Sequence, residues 1–261
     1  MAVIAFIGTG NMGGALARAA AKSPLCTRLL LSNRSAGKAQ RLCEELGASL
    51  TDNRGAAAEA DVLFLGVKPQ GLEEMAAGIR DVLAARERCV VVSMAAGWTV
   101  AELEGLLGGL PVVRILPNIP VAVGEGVTLL CASEKVTAEE KELVRGLLAP
   151  SGMVAELGED LMDAASGVTG CGPAFAAMFI EALADGAVAC GLPRREAIAF
   201  AAQMLAGTAR TLLASGEHPD ALKDRVCSPG GSTIQGVRKL EESAFRAAVM
   251  NAVIATYEKE F

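Results

Sequence analysis

The passage that most limits the fold lies at the start of the chain. Val3-Ile4-Ala5-Phe6-Ile7 is an unbroken apolar run that leads into Gly8-Thr9-Gly10-Asn11-Met12-Gly13-Gly14, then into an Ala- and Leu-rich stretch reaching about Lys22. A strand with no polar alternation is one that helices cover on both faces of a parallel sheet. The glycines allow a tight turn, a close approach of backbone to ligand, and close packing of helix on strand. The helix N-terminus that follows has free N–H groups for a phosphate. G-x-G-x-x-G carries this meaning only between a strand and a helix, and both are present. The passage predicts a doubly wound α/β sheet that binds a dinucleotide.

The next segments agree. Apolar runs over residues 28–31, 61–67, 88–93, 112–116 and 127–131, with a short one at 153–156, alternate with helical patterns. Two of the helices open with capping boxes, Thr99-x-x-Glu102 and Thr137-x-x-Glu140. In such a sheet ligands bind off the carboxyl ends of the strands. Gly8 to Gly13, Ser32 to Arg34, Val67-Lys68-Pro69, Ala95-Ala96-Gly97 and Asn118 therefore share one rim. About 20 residues past the glycines, enzymes that use NAD carry an acidic residue for the ribose 2′-OH. This chain has Ser32-Asn33-Arg34 instead. A hydroxyl, an amide and a guanidinium suit a 2′-phosphate that a carboxylate would repel, so NADP is expected over NAD, with NAD as the second cofactor.

Near Gly158 the strand pattern stops. Helical patterns follow over residues 163–190 (interrupted near Gly172-Pro173), 194–215, 219–225, and from Thr233 onward. The expected organisation is a Rossmann-type NADP-binding domain over residues 1–158 and an all-helical domain for substrate binding and dimerisation over 159–261. Apolar residues make up 52% of the chain and aromatics only 3%, so Ala and Gly supply the excess. More apolar helix surface than one subunit can cover implies a homo-oligomer. A membrane span is not expected, because Glu181 and Asp185 interrupt the most apolar window, residues 174–192. Nor does the start of the chain read as a signal peptide, since no basic segment precedes the first strand. A net charge of −6 gives no footprint for nucleic acid. The 7 cysteines lack any C-x-x-C spacing, which fits free thiols in a reducing cytoplasm and no metal site. The lone histidine, His218, stands before Pro219 in a polar turn and reads as a surface residue.

A second glycine turn is Cys227-Ser228-Pro229-Gly230-Gly231-Ser232-Thr233-Ile234-Gln235-Gly236-Val237. It reads two ways: as a helix start with a Ser232–Gln235 capping box, or as an anion-binding loop of backbone N–H groups and hydroxyls. The Gly167, Gly170 and Gly172 series matches the glycines of the β-hydroxyacid dehydrogenase motif. However, Ala176 and Ile180 replace its Lys and Asn. Without that base an alcohol is not readily oxidised. An imine asks for less: its nitrogen is basic, and hydride transfer to it is mainly a matter of positioning.

Val226-Cys227-Ser228-Pro229-Gly230-Gly231-Ser232-Thr233-x-x-Gly236-Val237-x-x-Leu240-Glu241 resembles the signature of the pyrroline-5-carboxylate reductases. Phe6-Ile7-Gly8-x-Gly10-Asn11-Met12-Gly13, Val67-Lys68-Pro69, Ala95-Ala96-Gly97 and Gly170-x-Gly172-Pro173-Ala174 extend the similarity along nearly the whole chain. The resemblance implies reduction of 1-pyrroline-5-carboxylate to L-proline, the last step of proline biosynthesis. It implies a substrate carboxylate in the Ser228 to Thr233 loop, across Gly230, on the N–H groups of Gly231, Ser232 and Thr233, with the Thr233 hydroxyl on the ring nitrogen. Ser32, Asn33 and Arg34 would face the 2′-phosphate, Asn53 the adenosine ribose, and Val67, Lys68 and Ala95 the nicotinamide half. It also implies dimers through the helical domain, assembled into rings as large as a decamer. Cys171 stands where the family often has Ser. Two other readings are a reductase of a different imine on the same scaffold, and a non-catalytic NADPH sensor, which would have no use for the Thr233 loop.

Overall fold

The computed structural model describes residues 2–258. Its first part alternates strands β1 (Ala2–Ile7), β2 (Cys26–Ser32), β3 (Ser49–Leu50), β4 (Val62–Leu65), β5 (Val90–Ser93), β6 (Val112–Pro117), β7 (Gly126–Ala132) and β8 (Gly152–Glu156) with helices. The helices are α1 (Asn11–Lys22), α2 (Ala36–Leu46), α3 (Asn53–Glu59), α4 (Leu72–Ala77), α5 (Arg80–Ala84), α6 (Val100–Leu106), α7 (Ala138–Leu148) and α8 (Glu159–Thr169). The sheet order is β3-β2-β1-β4-β5-β6-β7-β8. Its first six strands have the doubly wound Rossmann order, and the switch point falls between β1 and β4.

The apolar strands are buried on both faces. Ile4, Phe6, Leu31, Phe64 and Val92 pack under Leu16, Val144 and Leu147, with Phe6 stacked on Phe64 at 4.4 Å between ring centroids. Ile7, Leu30, Leu63, Leu65 and Val91 face the other way, onto Leu72, Ile79, Leu83 and Leu103. Both expected capping boxes form, at Thr99 with Glu102 and at Thr137 with Glu140. Two details of the sheet were not foreseen: the two-residue β3, and the antiparallel pairing of β6 with β7. Residues 118–125 form only a 3₁₀ turn and a left-handed Gly124, too short a link for the crossover a parallel pair needs. The chain reverses instead.

The remaining helices are α9 (Gly172–Ala189), α10 (Arg194–Ser215), α11 (Pro219–Val226), α12 (Ser232–Glu242) and α13 (Phe245–Glu258). The helix expected from Thr233 onward is two helices, separated at Ser243-Ala244, where Ala244 takes a φ of 55°. Two compact units divide between Gly170 and Cys171. The reason is α8, whose sequence is helical but whose contacts belong to the sheet. Arg114, buried on β6, donates to Glu159 Oε1 at 3.1 Å and to Asp163 Oδ1 at 3.3 Å. At the other end of α8 the Thr169 carbonyl accepts from Asn118 Nδ2 at 2.8 Å.

The second unit is short of interior. Ala184, Ala197 and Ala201 are buried, whereas Met178, Phe200, Leu213, Val249, Met250 and Ile254 are exposed. Phe179 and Phe245 meet at 5.8 Å and tie α9 to α13. By length and apolar content, two helical stretches, Glu159–Ala189 and Arg194–Ser215, reach what a membrane span requires; the first of them is α8 and α9 together.

Candidate active site

The glycine loop sits at the switch point and is shaped by contacts that leave no room for side chains. Gly8 has a φ of +95°, and a Cβ there would lie 2.6 Å from the Gly66 carbonyl oxygen. A Cβ on Gly13 would lie 2.1 Å from the Gly8 oxygen, and one on Gly66 would lie 2.3 Å from it. Three backbones thus touch where β1, β4 and α1 meet. Gly66 was not among the expected site residues; its signal was a glycine at a strand end, just ahead of Val67-Lys68-Pro69. Gly10 differs, since a Cβ there would meet no protein atom within 4 Å. It is the N-cap of α1 and supplies no side-chain cap, so the first-turn N–H groups, from Asn11 to Gly13, are open to an anion. Thr9, buried to 8% exposure, has a hydroxyl with no partner in the protein. An unpaired buried hydroxyl is costly, so the loop is suited to a polar group supplied from outside. Open space at Gly10, uncapped N–H groups and an orphaned donor together fit the pyrophosphate of a dinucleotide.

The end of β2 is stitched to this loop. Gly8 N–H donates to the Ser32 carbonyl at 2.8 Å, and Thr9 N–H donates to Asn33 Oδ1 at 3.2 Å. Asn33 Nδ2 in turn donates to the Ser35 carbonyl at 3.1 Å. Ser32 is buried, and its hydroxyl donates to Asn53 Oδ1 at 2.6 Å, which joins the end of β2 to the start of α3. Arg34 is exposed and, among the described residues, forms no ion pair.

Lys68 is exposed where the chain leaves β4, its carbonyl accepting from Gly71 N–H at 2.9 Å, and Val67 and Pro69 beside it are half-buried. After β5, Ala95 is buried, whereas Ala96 and Gly97 are exposed; Gly97 adopts a φ of +80° with open space around it. Asn118 is buried just after β6. Its Oδ1 accepts from Val127 N–H at 2.8 Å while its Nδ2 holds Thr169. Both ends of this buried amide are engaged within the protein, and it serves as a latch between β7 and α8.

In the second unit the other glycine turn is resolved in detail. Gly231 N–H donates to the Ser228 carbonyl at 3.0 Å, with Pro229 second in the turn and Gly230 third at a φ of +71°. Pro then Gly with that φ is the type II pattern. The positive φ gives Gly230 a structural reason, whereas a Cβ on Gly231 would meet mainly the rotatable Ser228 Oγ, at 2.5 Å. The Ser232–Gln235 capping box does not form: Gly231 is the N-cap, no side chain caps α12, and Gln235 Oε1 accepts from Arg238 Nε at 3.3 Å. The N–H of Gly231 is taken by the turn. Ser232 and Thr233 keep exposed hydroxyls and first-turn N–H groups, with no acidic residue in that turn. Cys171, at the N-cap of α9, leaves the helix start intact.

Comparison with known proteins fits this geometry. Residues 159–260 match the family model described as pyrroline-5-carboxylate reductase dimerisation, and residues 3–97 match one described as NADP oxidoreductase coenzyme F420-dependent. A pyrroline-5-carboxylate reductase of Methanosarcina acetivorans is 39% identical over 262 residues, covering 98% of this chain and 96% of that protein. The chain belongs to the pyrroline-5-carboxylate reductase family.

Solved structures of the family superpose along the full length. That of the Coxiella burnetii reductase has a TM-score of 0.92 at 31% identity, covering 99% of this chain and 97% of that one. That of the Plasmodium falciparum reductase, with NADP bound, has a TM-score of 0.86 at 30% identity, covering 99% and 96%. The match to the family's dimerisation domain supports a homo-oligomer.

Proposed function

We propose that the protein reduces 1-pyrroline-5-carboxylate to L-proline with NADPH, and that Thr233 and the turn before it hold the substrate. The observation that carries the substrate assignment is the uncapped start of α12. Among the described residues, two N–H groups and the hydroxyls of Ser228, Ser232 and Thr233 stand there without a hydrogen-bond partner, on a turn closed by the Gly231 N–H to Ser228 carbonyl bond. A small carboxylate fills that vacancy and gains from the helix dipole. Ser232 and Thr233 N–H bind it; the Thr233 hydroxyl donates to the ring nitrogen and keeps the C=N bond polarised.

NADPH, when bound, supplies the hydride, from nicotinamide C4 to the C=N carbon. The ring nitrogen gains one proton, either at transfer, with the Thr233 hydroxyl donating to the neutral imine, or beforehand, as an iminium whose N–H donates to that hydroxyl, so imine, NADPH and H⁺ give amine and NADP⁺. Gly8, Gly10, Asn11, Met12 and Gly13 cradle the pyrophosphate. Arg34 and Asn53 serve the adenosine end, and Val67, Lys68, Pro69 and Ala95 to Gly97 the nicotinamide half. No residue needs to act as a strong base, in keeping with Ala176 at the position of the dehydrogenase Lys. The family match and the exposed apolar helices support a dimer as the unit of assembly, with a decamer as the larger ring, in the cytoplasm.

The test is the initial rate of reduced-nicotinamide consumption with pyrroline-5-carboxylate, using NADPH and NADH in parallel. Turnover faster with NADPH supports the assignment. A protein that binds NADPH but turns over neither would refute the substrate and return the other imines to consideration.

A further inference from the structure

We infer that Asn33 is a positioning residue that locks the glycine loop to the end of β2, and that it leaves discrimination of the cofactor's 2′-phosphate to Arg34. The inference rests on the NADP assignment and divides the labour within that site.

Sequence alone groups Ser32, Asn33 and Arg34 as three polar contacts to one phosphate. The structure separates them by what each group already holds. Asn33 uses both ends of its amide: Oδ1 accepts from Thr9 N–H at 3.2 Å and Nδ2 donates to the Ser35 carbonyl at 3.1 Å. The first bond spans two turns that no other side chain joins among the described residues. Beside it, Gly8 N–H donates to the Ser32 carbonyl at 2.8 Å. These two bonds pin consecutive residues of the loop, Gly8 and Thr9, immediately before Gly10, where the space for the ligand opens. Removing the Asn33 amide releases Thr9 N–H and frees a loop that must be held still for its N–H groups to meet a pyrophosphate. The pyrophosphate is common to NADPH and NADH, so the loss falls on both. Arg34 is exposed and has no ion pair among the described residues; its guanidinium is the positive charge available to a 2′-phosphate, which only NADPH carries.

The experiment is a titration of the full chain with NADPH and with NADH, followed by nicotinamide fluorescence, in wild type, Asn33→Ala and Arg34→Ala, with thermal unfolding measured on each. Asn33→Ala is expected to raise both dissociation constants by a common factor of about 5 to 30, leaving their ratio within about twofold of wild type. Arg34→Ala is expected to raise the NADPH constant about ten- to a hundredfold and leave NADH unchanged. An Asn33→Ala protein that loses affinity for NADPH alone overturns the inference, since Asn33 then reads the phosphate. So does one that binds both cofactors as wild type does. Amide hydrogen exchange on the wild-type chain without cofactor gives a readout independent of any variant: the Thr9 amide should be protected, and exchange at the rate of a free amide overturns the lock. A wild-type chain that binds neither nucleotide overturns the NADP assignment along with the inference, and is recognised by failing in the control.

Discussion

The two glycines Gly10 and Gly13 stand three residues apart, yet alanine should act on them in opposite ways. At Gly10 the backbone has φ −66° and ψ −165°, which alanine adopts freely, and its Cβ would meet nothing within 4 Å. Gly to Ala at such a site gains about 0.4–1 kcal/mol through the unfolded chain. Alanine is a poorer N-cap than glycine by a similar amount, about 0.5–1 kcal/mol. The two nearly cancel, so Gly10→Ala should unfold within about 2 °C of wild type. The methyl group then occupies space that, on this reading, belongs to the pyrophosphate. Crowding of that kind costs about 1–3 kcal/mol, or about 5- to 140-fold in the dissociation constant for NADPH. At Gly13 the Cβ would stand 2.1 Å from the Gly8 oxygen, far inside van der Waals contact and against backbone that cannot rotate away. Helix propensity favours alanine there by about 1 kcal/mol, but the clash costs about 3 kcal/mol or more. The net loss lowers the melting temperature by several degrees even without cofactor. Thermal unfolding of the apo proteins and fluorescence titration with NADPH separate the two effects. A Gly10→Ala protein with wild-type affinity would show that the cofactor does not approach that backbone, and the loop would need another explanation.

Three further outcomes follow from the same geometry. Thr233→Ala should bind NADPH normally and turn over about ten- to a thousandfold more slowly, the range for one lost transition-state donor; unchanged kcat in steady-state assays removes the hydroxyl from the mechanism. Asn118→Ala strips a partner from Val127 N–H and from the Thr169 carbonyl and should cost about 2–4 kcal/mol in denaturant unfolding with the NADPH constant unchanged, whereas a selective loss of NADPH affinity would return Asn118 to the cofactor site. The guanidinium of Arg54 holds the Asp81 carboxyl down to about 2, below the usual 3.8, so the pair's stabilisation is complete above pH 4 and is lost as pH falls through about 2. The difference in melting temperature between wild type and Asp81→Asn should accordingly be present at pH 6 and vanish near pH 2, and a difference that persists there contradicts the assignment.

The fold was legible where sequence and geometry impose the same demand. An apolar run with no alternation has one stable use, a strand covered on both faces, and β1, β4 and β5 are such strands. Thr99 and Thr137 each precede a Glu by three residues and the boxes close. What was not legible depended on contacts distant in sequence. The pattern of α8 is purely helical, and nothing in it states that Arg114, some forty-five residues earlier, would hold Glu159. The pattern places its boundary at 158, where strands end, and packing groups α8 with the first compact unit, to Gly170.

The same distinction bears on the site residues. A glycine declares its role by what it lacks, and the requirement is local: Gly8, Gly13 and Gly230 mark turns whose backbone excludes a side chain whether or not a ligand is present. A polar residue on a binding rim has two kinds of partner, the ligand and the protein's own backbone, and its identity does not say which. Ser32, Asn33 and Asn118 all lie at strand ends on the binding rim, and all three are engaged by the protein itself. Each such engagement satisfies a buried or half-buried group that would otherwise be costly, so the protein has first claim on it. Arg34, Ser232 and Thr233 are exposed, and among the described residues no side-chain hydrogen bond or ion pair engages them. Exposure without a partner among the described residues, beside a backbone held by its neighbours, is the feature that the proposed ligand contacts share in this chain.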